Sequence, residues 1–127
     1  MKEITLVLEE CLCFKTFKLI LKKGTLDSTN KSMYTARTPF TIGGTYALQA
    51  DFLLDSSQVE GIHARIDDEK GKVWITNMGK KAIMVSGNSV ESGAKKILKV
   101  NDDIIIGRCK LKVYIIDDVG LLKRLFG

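Results

Sequence analysis

A chain of 127 residues, 45% of them hydrophobic and 28% charged, has the size of one folded domain, and its composition excludes a disordered polymer. The formal net charge of +5 permits binding to nucleic acid, acidic peptides or phosphates without selecting among them. No apolar run approaches the roughly 20 residues of a membrane span, and the acidic start of the chain is not that of a signal peptide. We therefore predict one domain, 1–127, with no membrane partner.

Three cysteines and one histidine limit the metal and redox chemistry of the chain. The odd number of cysteines, without a paired framework, predicts free thiols and an intracellular, reducing compartment. Cys11 and Cys13 would share one face of a strand, but a metal site needs more ligands than these two and His63 supply. We predict no metal and no cofactor.

A period of two in hydrophobicity recurs along almost the whole chain and predicts short strands. It appears first at 4–9, where Ile4, Leu6 and Leu8 alternate with Thr5, Val7 and Glu9. The same pattern, or a short β-branched run, recurs at 17–22, 73–75, 83–85, 104–106 and 111–116. The residues expected in the core include Ile42, Leu53, Ile66, Trp74, Ile104 and Ile106.

Turn residues separate the strands. The segments 68–72, 86–89 and 91–94 contain the glycine, asparagine and serine of tight turns. The polar stretch 22–37 is predicted as the longest loop, and the tail 119–126 could form a two-turn helix. The pattern predicts an all-β sandwich of about eleven strands with a short C-terminal helix as an option.

The acidic clusters at 67–69 and 102–103 fall in or beside predicted turns, where carboxylates bond to local backbone. The glycines at 43–44 lack the lysine spacing of a nucleotide-binding loop. A single histidine allows no His pair. We therefore predict that the protein is not an enzyme.

Six blocks occur in a fixed order between residues 40 and 107: FTIGG at 40–44, DFLL at 51–54, VEGIHARI at 59–66, VWI at 73–75, AIMVSG at 82–87 and LKVNDDIIIG at 98–107. In order and spacing they resemble the forkhead-associated (FHA) domain, and the HARI block at 63–66 is the most specific of them. The resemblance implies a β-sandwich that acts as a non-catalytic protein–protein interaction module. It also implies a structural motif made of Gly43, His63, Trp74, Gly87, Asp102 and Gly107, in which the histidine ties neighbouring loops together.

The departures from the family pattern fall on the phosphothreonine pocket. FHA domains read phosphothreonine with an arginine after the first glycine, a serine and an arginine before the histidine, and an asparagine in the middle loop. Here those positions hold Gly44, Glu60, Gly61 and Lys81, with Ser86 further along the middle block. A phosphate dianion needs charge-assisted donors, and Glu60 would repel it. We predict a degenerate pocket that does not bind a phosphopeptide.

Three other functions remain open. A remodelled pocket could read phosphothreonine through Ser56, Ser57, Lys80, Lys81 and Ser86. A basic nucleic-acid-binding module could use Lys95, Lys96, Lys99, Arg108, Lys110 and Lys112, although lysines on an edge strand also guard against aggregation. The chain could also be an FHA-like ring component of a bacterial secretion machine.

With its degenerate pocket, the chain resembles the FHA domain of the mediator of DNA-damage checkpoint family and of its insect mutator-2-type relatives. That resemblance implies a homodimer, in the N-terminal piece of a longer nuclear scaffold of the DNA-damage response. Apolar residues beyond the needs of one sandwich predict the dimer surface. They are Cys11, Leu12, Cys13, Phe14, Leu121, Leu122, Leu125 and Phe126.

Overall fold

The computed structural model describes residues 2–11, 20–21, 25–26, 33–44, 49–54, 59 and 61–118, and the structural statements below concern these residues. They form thirteen strands and no helix. The strands are β1 (Lys2–Cys11), β2 (Ile20–Leu21), β3 (Thr25–Leu26), β4 (Met33–Arg37), β5 (Phe40–Gly44), β6 (Phe52–Leu54), β7 (Ile62–Glu69), β8 (Lys72–Asn77), β9 (Ile83–Val85), β10 (Asn88–Val90), β11 (Lys95–Leu98), β12 (Asp103–Ile106) and β13 (Cys109–Asp118).

Two sheets face each other, as predicted for a sandwich. One has seven strands in the order β10-β9-β12-β13-β1-β4-β3, and the other has six in the order β11-β8-β7-β5-β6-β2. Without β2 and β3, which have two residues each, eleven of the thirteen strands remain, so the predicted number is confirmed. This part of the chain has no helix long and apolar enough to cross a membrane.

The core lies between the sheets and is built by alternation. Ile4 and Leu6 of β1, Ile42 of β5 and Ile104 of β12 are all fully buried. Tyr34 stacks on Phe52 at 4.4 Å between ring centroids and meets the edge of Phe40 at 5.9 Å. Such aromatic pairs contribute more than their buried area alone. Of the predicted core residues, Leu53, Ile66 and Ile106 are also buried.

Trp74 is the exception, and its prediction as a core residue is wrong. On β8 the buried positions are Val73, Ile75 and Asn77, so alternation turns Trp74 to the outer face of the six-stranded sheet. There Lys95 Nζ lies 4.7 Å from the ring centroid, in a cation–π contact. Lys95 also forms a 3.1 Å ion pair with Glu69.

Two hairpins close with the turn chemistry that the sequence predicted. Lys70 and Gly71 connect β7 to β8, and Ser86 and Gly87 connect β9 to β10. All four residues have positive φ, between 46° and 83°. This is the pattern of a type I′ turn, whose twist matches that of the flanking strands. The glycine in the second position accepts a positive φ without a steric penalty.

The predicted loop at 22–37 is wrong at two places, because residues 25–26 form β3 and residues 33–37 form β4. Tyr34 and Ala36 face the core, and Thr35 bonds through its hydroxyl to Thr5 of β1 at 2.9 Å. The polar residues Thr35 and Arg37 at outward positions made this strand hard to predict from the sequence.

The predicted C-terminal helix and the predicted dimer residues lie outside the described residues, except for the backbone of Cys11 at the end of β1.

Buried Cys109 is disulfide-bonded, so the expectation of free thiols from an odd cysteine count is wrong for this residue. The antiparallel pairing of β1 with β13 places the backbone of Cys11 directly opposite Cys109. Sequence spacing could not show this proximity, because the two residues are brought together only when the first and last strands pair.

Candidate functional site

Two positions of the predicted pocket lie side by side. Gly44 ends β5, Gly61 directly precedes β7, and the Gly44 amide donates a hydrogen bond to the Gly61 carbonyl at 2.9 Å. A Cβ built at Gly61 meets no atom within 4 Å, so the space that a side chain would occupy is open. Neither glycine offers a side-chain donor. Glu60 lies outside the described residues, as do Ser56 and Ser57.

His63 anchors the loop that follows β8. Its side chain is fully buried, and its Nε2 lies 3.1 Å from the carbonyl oxygen of Lys81. A carbonyl oxygen can only accept, so Nε2 carries the hydrogen in this contact. The His63 carbonyl in turn accepts from the Met78 amide at 2.8 Å. Both ends of the 78–82 loop are thus bound to one residue, which is the structural role that the resemblance implied.

Asn77 completes this arrangement, and sequence reasoning missed it. Its Nδ2 donates to the Lys81 carbonyl at 2.8 Å and to the Val90 carbonyl at 2.9 Å, while its Oδ1 accepts from the Gly79 amide at 2.9 Å. The side chain is fully buried. An asparagine at an inward position of an alternating strand, after Val73 and Ile75, was the available signal.

Lys80 and Lys81 are exposed on this loop, next to the pocket positions. They carry their positive charge on a lysine ammonium rather than on the planar fork of an arginine. Lys81 therefore lies where the sequence predicted, although the feature of this residue that the fold uses is its backbone carbonyl.

Ser86 does not belong to the same place. Lys81 precedes β9 and Ser86 follows it, so the length of that strand separates them. The Ser86 hydroxyl donates to Asp102 Oδ1 at 2.8 Å and accepts from the Asp103 amide at 3.2 Å. Asp102 Oδ2 also accepts from the Lys99 amide at 2.8 Å. These bonds tie two turns together, so Ser86 and Asp102 have a structural role.

The basic residues proposed for nucleic acid are divided between the two sheets. Lys95 and Lys96 lie on β11, an edge strand of the six-stranded sheet, whereas Lys110 and Lys112 lie on β13, inside the seven-stranded sheet. Lys95 is paired with Glu69 and Lys110 approaches Asp103 at 4.0 Å. Arg108 and Lys99 flank opposite ends of β12. The arrangement does not make one continuous basic surface.

The described residues contain no group of three or more histidine, cysteine, aspartate or glutamate side chains that could hold a metal ion. At the pocket positions the structure has a backbone hydrogen bond between two strands and a loop held by buried side chains. These features suit a scaffold for binding.

A family model for the FHA domain matches residues 40–107, more than half of the chain. The chain belongs to the FHA family. The match covers β5 to β12 and includes Gly44, Gly61 and His63. Members of this family are non-catalytic protein–protein interaction modules. The prediction that this chain is an interaction module of the FHA type is therefore confirmed.

Solved FHA domains share the fold at low sequence identity. An FHA domain of a hypothetical protein from Arabidopsis thaliana has a TM-score of 0.65 at 14% identity, with 89% of this chain and 85% of that chain covered. The kinase-interacting FHA domain of the Arabidopsis kinase-associated protein phosphatase has a TM-score of 0.65 at 18% identity, with 92% and 95% covered.

Mycobacterium tuberculosis EmbR, solved in complex with a low-affinity phosphopeptide, has a TM-score of 0.62 at 17% identity. The alignment covers 91% of this chain and 25% of EmbR. No curated protein matches the sequence. At these identities the similarity shows the sandwich fold alone. It does not identify a ligand, which has to be argued from the residues of the pocket.

Proposed function

We propose that this FHA domain binds protein without reading phosphothreonine, and that its partner is a second copy of itself. The observation that carries the first half is the pair Gly44 and Gly61. Their backbones meet in a 2.9 Å hydrogen bond at the positions where the family places two arginines. A domain that keeps the His63 anchor but lacks these donors retains its scaffold without its phosphate ligands.

Charge explains why two lysines would not replace the missing groups. A phosphate dianion is held best by bidentate, charge-assisted bonds from groups fixed before binding. Lys80 and Lys81 are exposed, and each offers a single ammonium charge in place of a bidentate guanidinium. Glu60, which precedes Gly61 in the sequence, adds a negative charge that would repel the phosphate.

The test is titration with a library of phosphothreonine peptides, followed by calorimetry, beside sedimentation of the free protein. We expect no dissociation constant below about 100 µM for any peptide, and a dimer in sedimentation. A low-micromolar constant that disappears on dephosphorylating the peptide would contradict the first half. It would favour the remodelled reader, in which Lys80 and Lys81 are the donors.

We further propose that the domain belongs to a nuclear scaffold of the DNA-damage response. This proposal rests on the similarity of its degenerate motif to the mediator of DNA-damage checkpoint family. The disulfide at Cys109 weighs against a nuclear location, since disulfides are rare in that compartment. Imaging of the tagged full-length protein before and after induced DNA breaks is therefore decisive. Exclusion from the nucleus in both states would overturn the proposal.

A further inference from the structure

The outward face of the seven-stranded sheet carries apolar side chains that nothing in the described chain covers. Ile105 of β12 is 40% exposed, Ile115 of β13 is 38% exposed and Tyr114 is 50% exposed. Val7 of β1 and Met33 of β4 pair directly on the same face and are half-buried. Several exposed apolar groups on one open sheet face are typical of an interaction surface.

Strand register shows that these residues share one face. Ile4 and Leu6 point into the core, so Thr5 and Val7 point outward. Thr5 is opposite Ile115 and Val7 is opposite Lys112. The register of β1 and β13 shifts between these pairs, and the extra residue on β13 is Tyr114. The bulge keeps Ile115 outward and Ile116 against the core.

Charge along β13 changes sign across this apolar centre. Lys112 lies on one side of Tyr114 and Ile115, and Asp117 lies on the other. Lys112 is directly opposite Asp103, which Lys110 approaches at 4.0 Å, and the described residues provide no ion pair for Lys112 or for Asp117. At the acidic end Asp117 is directly opposite Glu3, and like charges in that position are destabilising. Arg37 reaches Glu3 at 3.8 Å and leaves Asp117 unbalanced.

We propose that this face is where two copies of the domain meet, with a two-fold axis passing beside Tyr114 and Ile115. A two-fold axis there runs β13 of one copy antiparallel to that of the other. Lys112 then meets Asp117 of the partner subunit on both sides of the axis, and Ile115 packs against the partner's Ile115. An isologous interface requires this self-complementarity. The inference rests on the proposed self-association and adds the surface and its charge pairing.

A second copy fits this face better than a partner of one charge. A strongly acidic ligand would meet Asp117 and Glu3, and a strongly basic one would meet Lys112 and Lys110. A copy of the same face presents both signs in reversed order, so each charge meets its opposite. The apolar centre then faces another apolar centre, as in packed sheets.

Charge reversal tests this pairing. Lys112→Glu places two acidic groups together on each side of the axis, and Asp117→Lys places two basic groups together. In sedimentation of the wild type we expect about twice the 14.1 kDa chain mass. Each single variant should raise the dimer dissociation constant at least about tenfold. An equimolar mixture of the two variants should restore the dimer, because both pairs are then attractive again.

The matched control is Lys72→Glu, a charge reversal at an exposed position of β8 in the other sheet. It should leave the mass unchanged. Thermal unfolding of every variant checks that the fold is kept, and Ile115→Asn gives a second disruption that alters no charge.

The outcomes separate the inference from the proposed function. A wild type that is monomeric at about 100 µM, far above the dissociation constant of a functional interface, overturns both self-association and this surface, and leaves the face to a different protein. A wild-type dimer that withstands both reversals and Ile115→Asn overturns the surface alone. Disruption by the single variants without restoration on mixing overturns the pairing of Lys112 with the partner's Asp117.

Discussion

His63 Nε2 and Asn77 Nδ2 converge on one backbone oxygen, the carbonyl of Lys81, at 3.1 and 2.8 Å. One residue is on β7 and the other at the end of β8, so the shared oxygen fixes the 78–82 loop to two strands at once. The loop that adjoins the pocket positions is therefore held by the fold without any ligand. If the proposed function is correct, these two bonds are what keep the scaffold in shape without phosphate contacts.

The first prediction concerns this shared carbonyl. Asn77→Ala removes three hydrogen bonds and takes the side-chain partner from the Val90 carbonyl and the Gly79 amide, so we expect the free energy of unfolding to fall by about 2–4 kcal/mol. His63→Ala should cost about 1–3 kcal/mol. Chemical denaturation provides the measurement. Asn88→Ala, at the exposed start of β10 with contacts of 3.4 and 3.5 Å, is the control and should change stability by less than about 0.5 kcal/mol. Equal effects of Asn77→Ala and Asn88→Ala would contradict the structural role.

The second prediction restores the missing donors. A triple variant, Gly44→Arg, Glu60→Ser and Gly61→Arg, should gain weak binding to phosphothreonine peptides, measured by calorimetry. The open space at Gly61 accommodates a side chain there. The control is the variant with lysine at both glycines, which supplies charge without a bidentate fork and should bind less. Loss of the gained binding on dephosphorylation is required, and equal binding of both forms of the peptide would argue against a phosphate site.

The third prediction follows from buried Tyr34. Burial, and then the nearby Asp51 carboxylate, raise the pKa of the Tyr34 phenol above its usual value. The folded state therefore keeps the proton while the unfolded state releases it. Stability is fully present below the unfolded pKa of about 10 and falls as the pH rises above it. Tyr34→Phe should flatten the decline in melting temperature between about pH 9.5 and 11. Tyr114→Phe, which leaves the buried phenol in place, should not. An identical decline in both variants would remove Tyr34 as the cause.

The fourth prediction concerns the acid side. The Thr38 hydroxyl donates to Asp68 at 2.6 Å, and this hydrogen bond is the largest cause of the lowered pKa of the Asp68 carboxyl. A lowered folded pKa gives stability that is present above the unfolded pKa, about 3.9, and is lost as the pH falls through the folded pKa. Thr38→Val should reduce the difference in melting temperature between about pH 6 and pH 3. Because Asp68 is largely solvated, the change should be small, on the order of a few degrees or less. The control is the double variant Thr38→Val with Asp68→Asn. If adding Asp68→Asn changes the pH difference in melting temperature further, the Thr38 hydrogen bond is not the sole source of the pH dependence of Asp68.

Alternation of side chains made most of the fold predictable. The burial of Ile42, Ile66, Ile104 and Ile106 follows from a period of two, and the hairpin turns follow from glycine in the second turn position. The same rule, applied strictly to β8, would have placed Trp74 outside and Asn77 inside. Hydrophobicity favoured a buried position for Trp74, whose ring instead lies on the outer face with Lys95 Nζ 4.7 Å from its centroid.

The site was predictable only as far as the family resemblance reached. It named Gly44, Gly61 and His63, and in the structure Gly44 is hydrogen-bonded to Gly61 while His63 is bonded to the Lys81 carbonyl. It placed Ser86 in the pocket, whereas hydrogen bonds to Asp102 and Asp103 hold that serine at the far end of β9. The disulfide at Cys109 and the outward face around Ile115 depend on pairing between the two ends of the chain, and a local pattern carries no information on such pairing.

The position of β13 also determines how the domain can be made. In the seven-stranded sheet, β13 is the only bridge between the ribbon β10-β9-β12 and the ribbon β1-β4-β3. While a ribosome is still translating β13, β12 and β1 each have a backbone edge without its strand partner. Pairing over such a long sequence separation is intrinsically slow. The nascent chain must therefore carry two incomplete half-sheets, open to contact with chaperones or with neighbouring chains, until its last strand emerges.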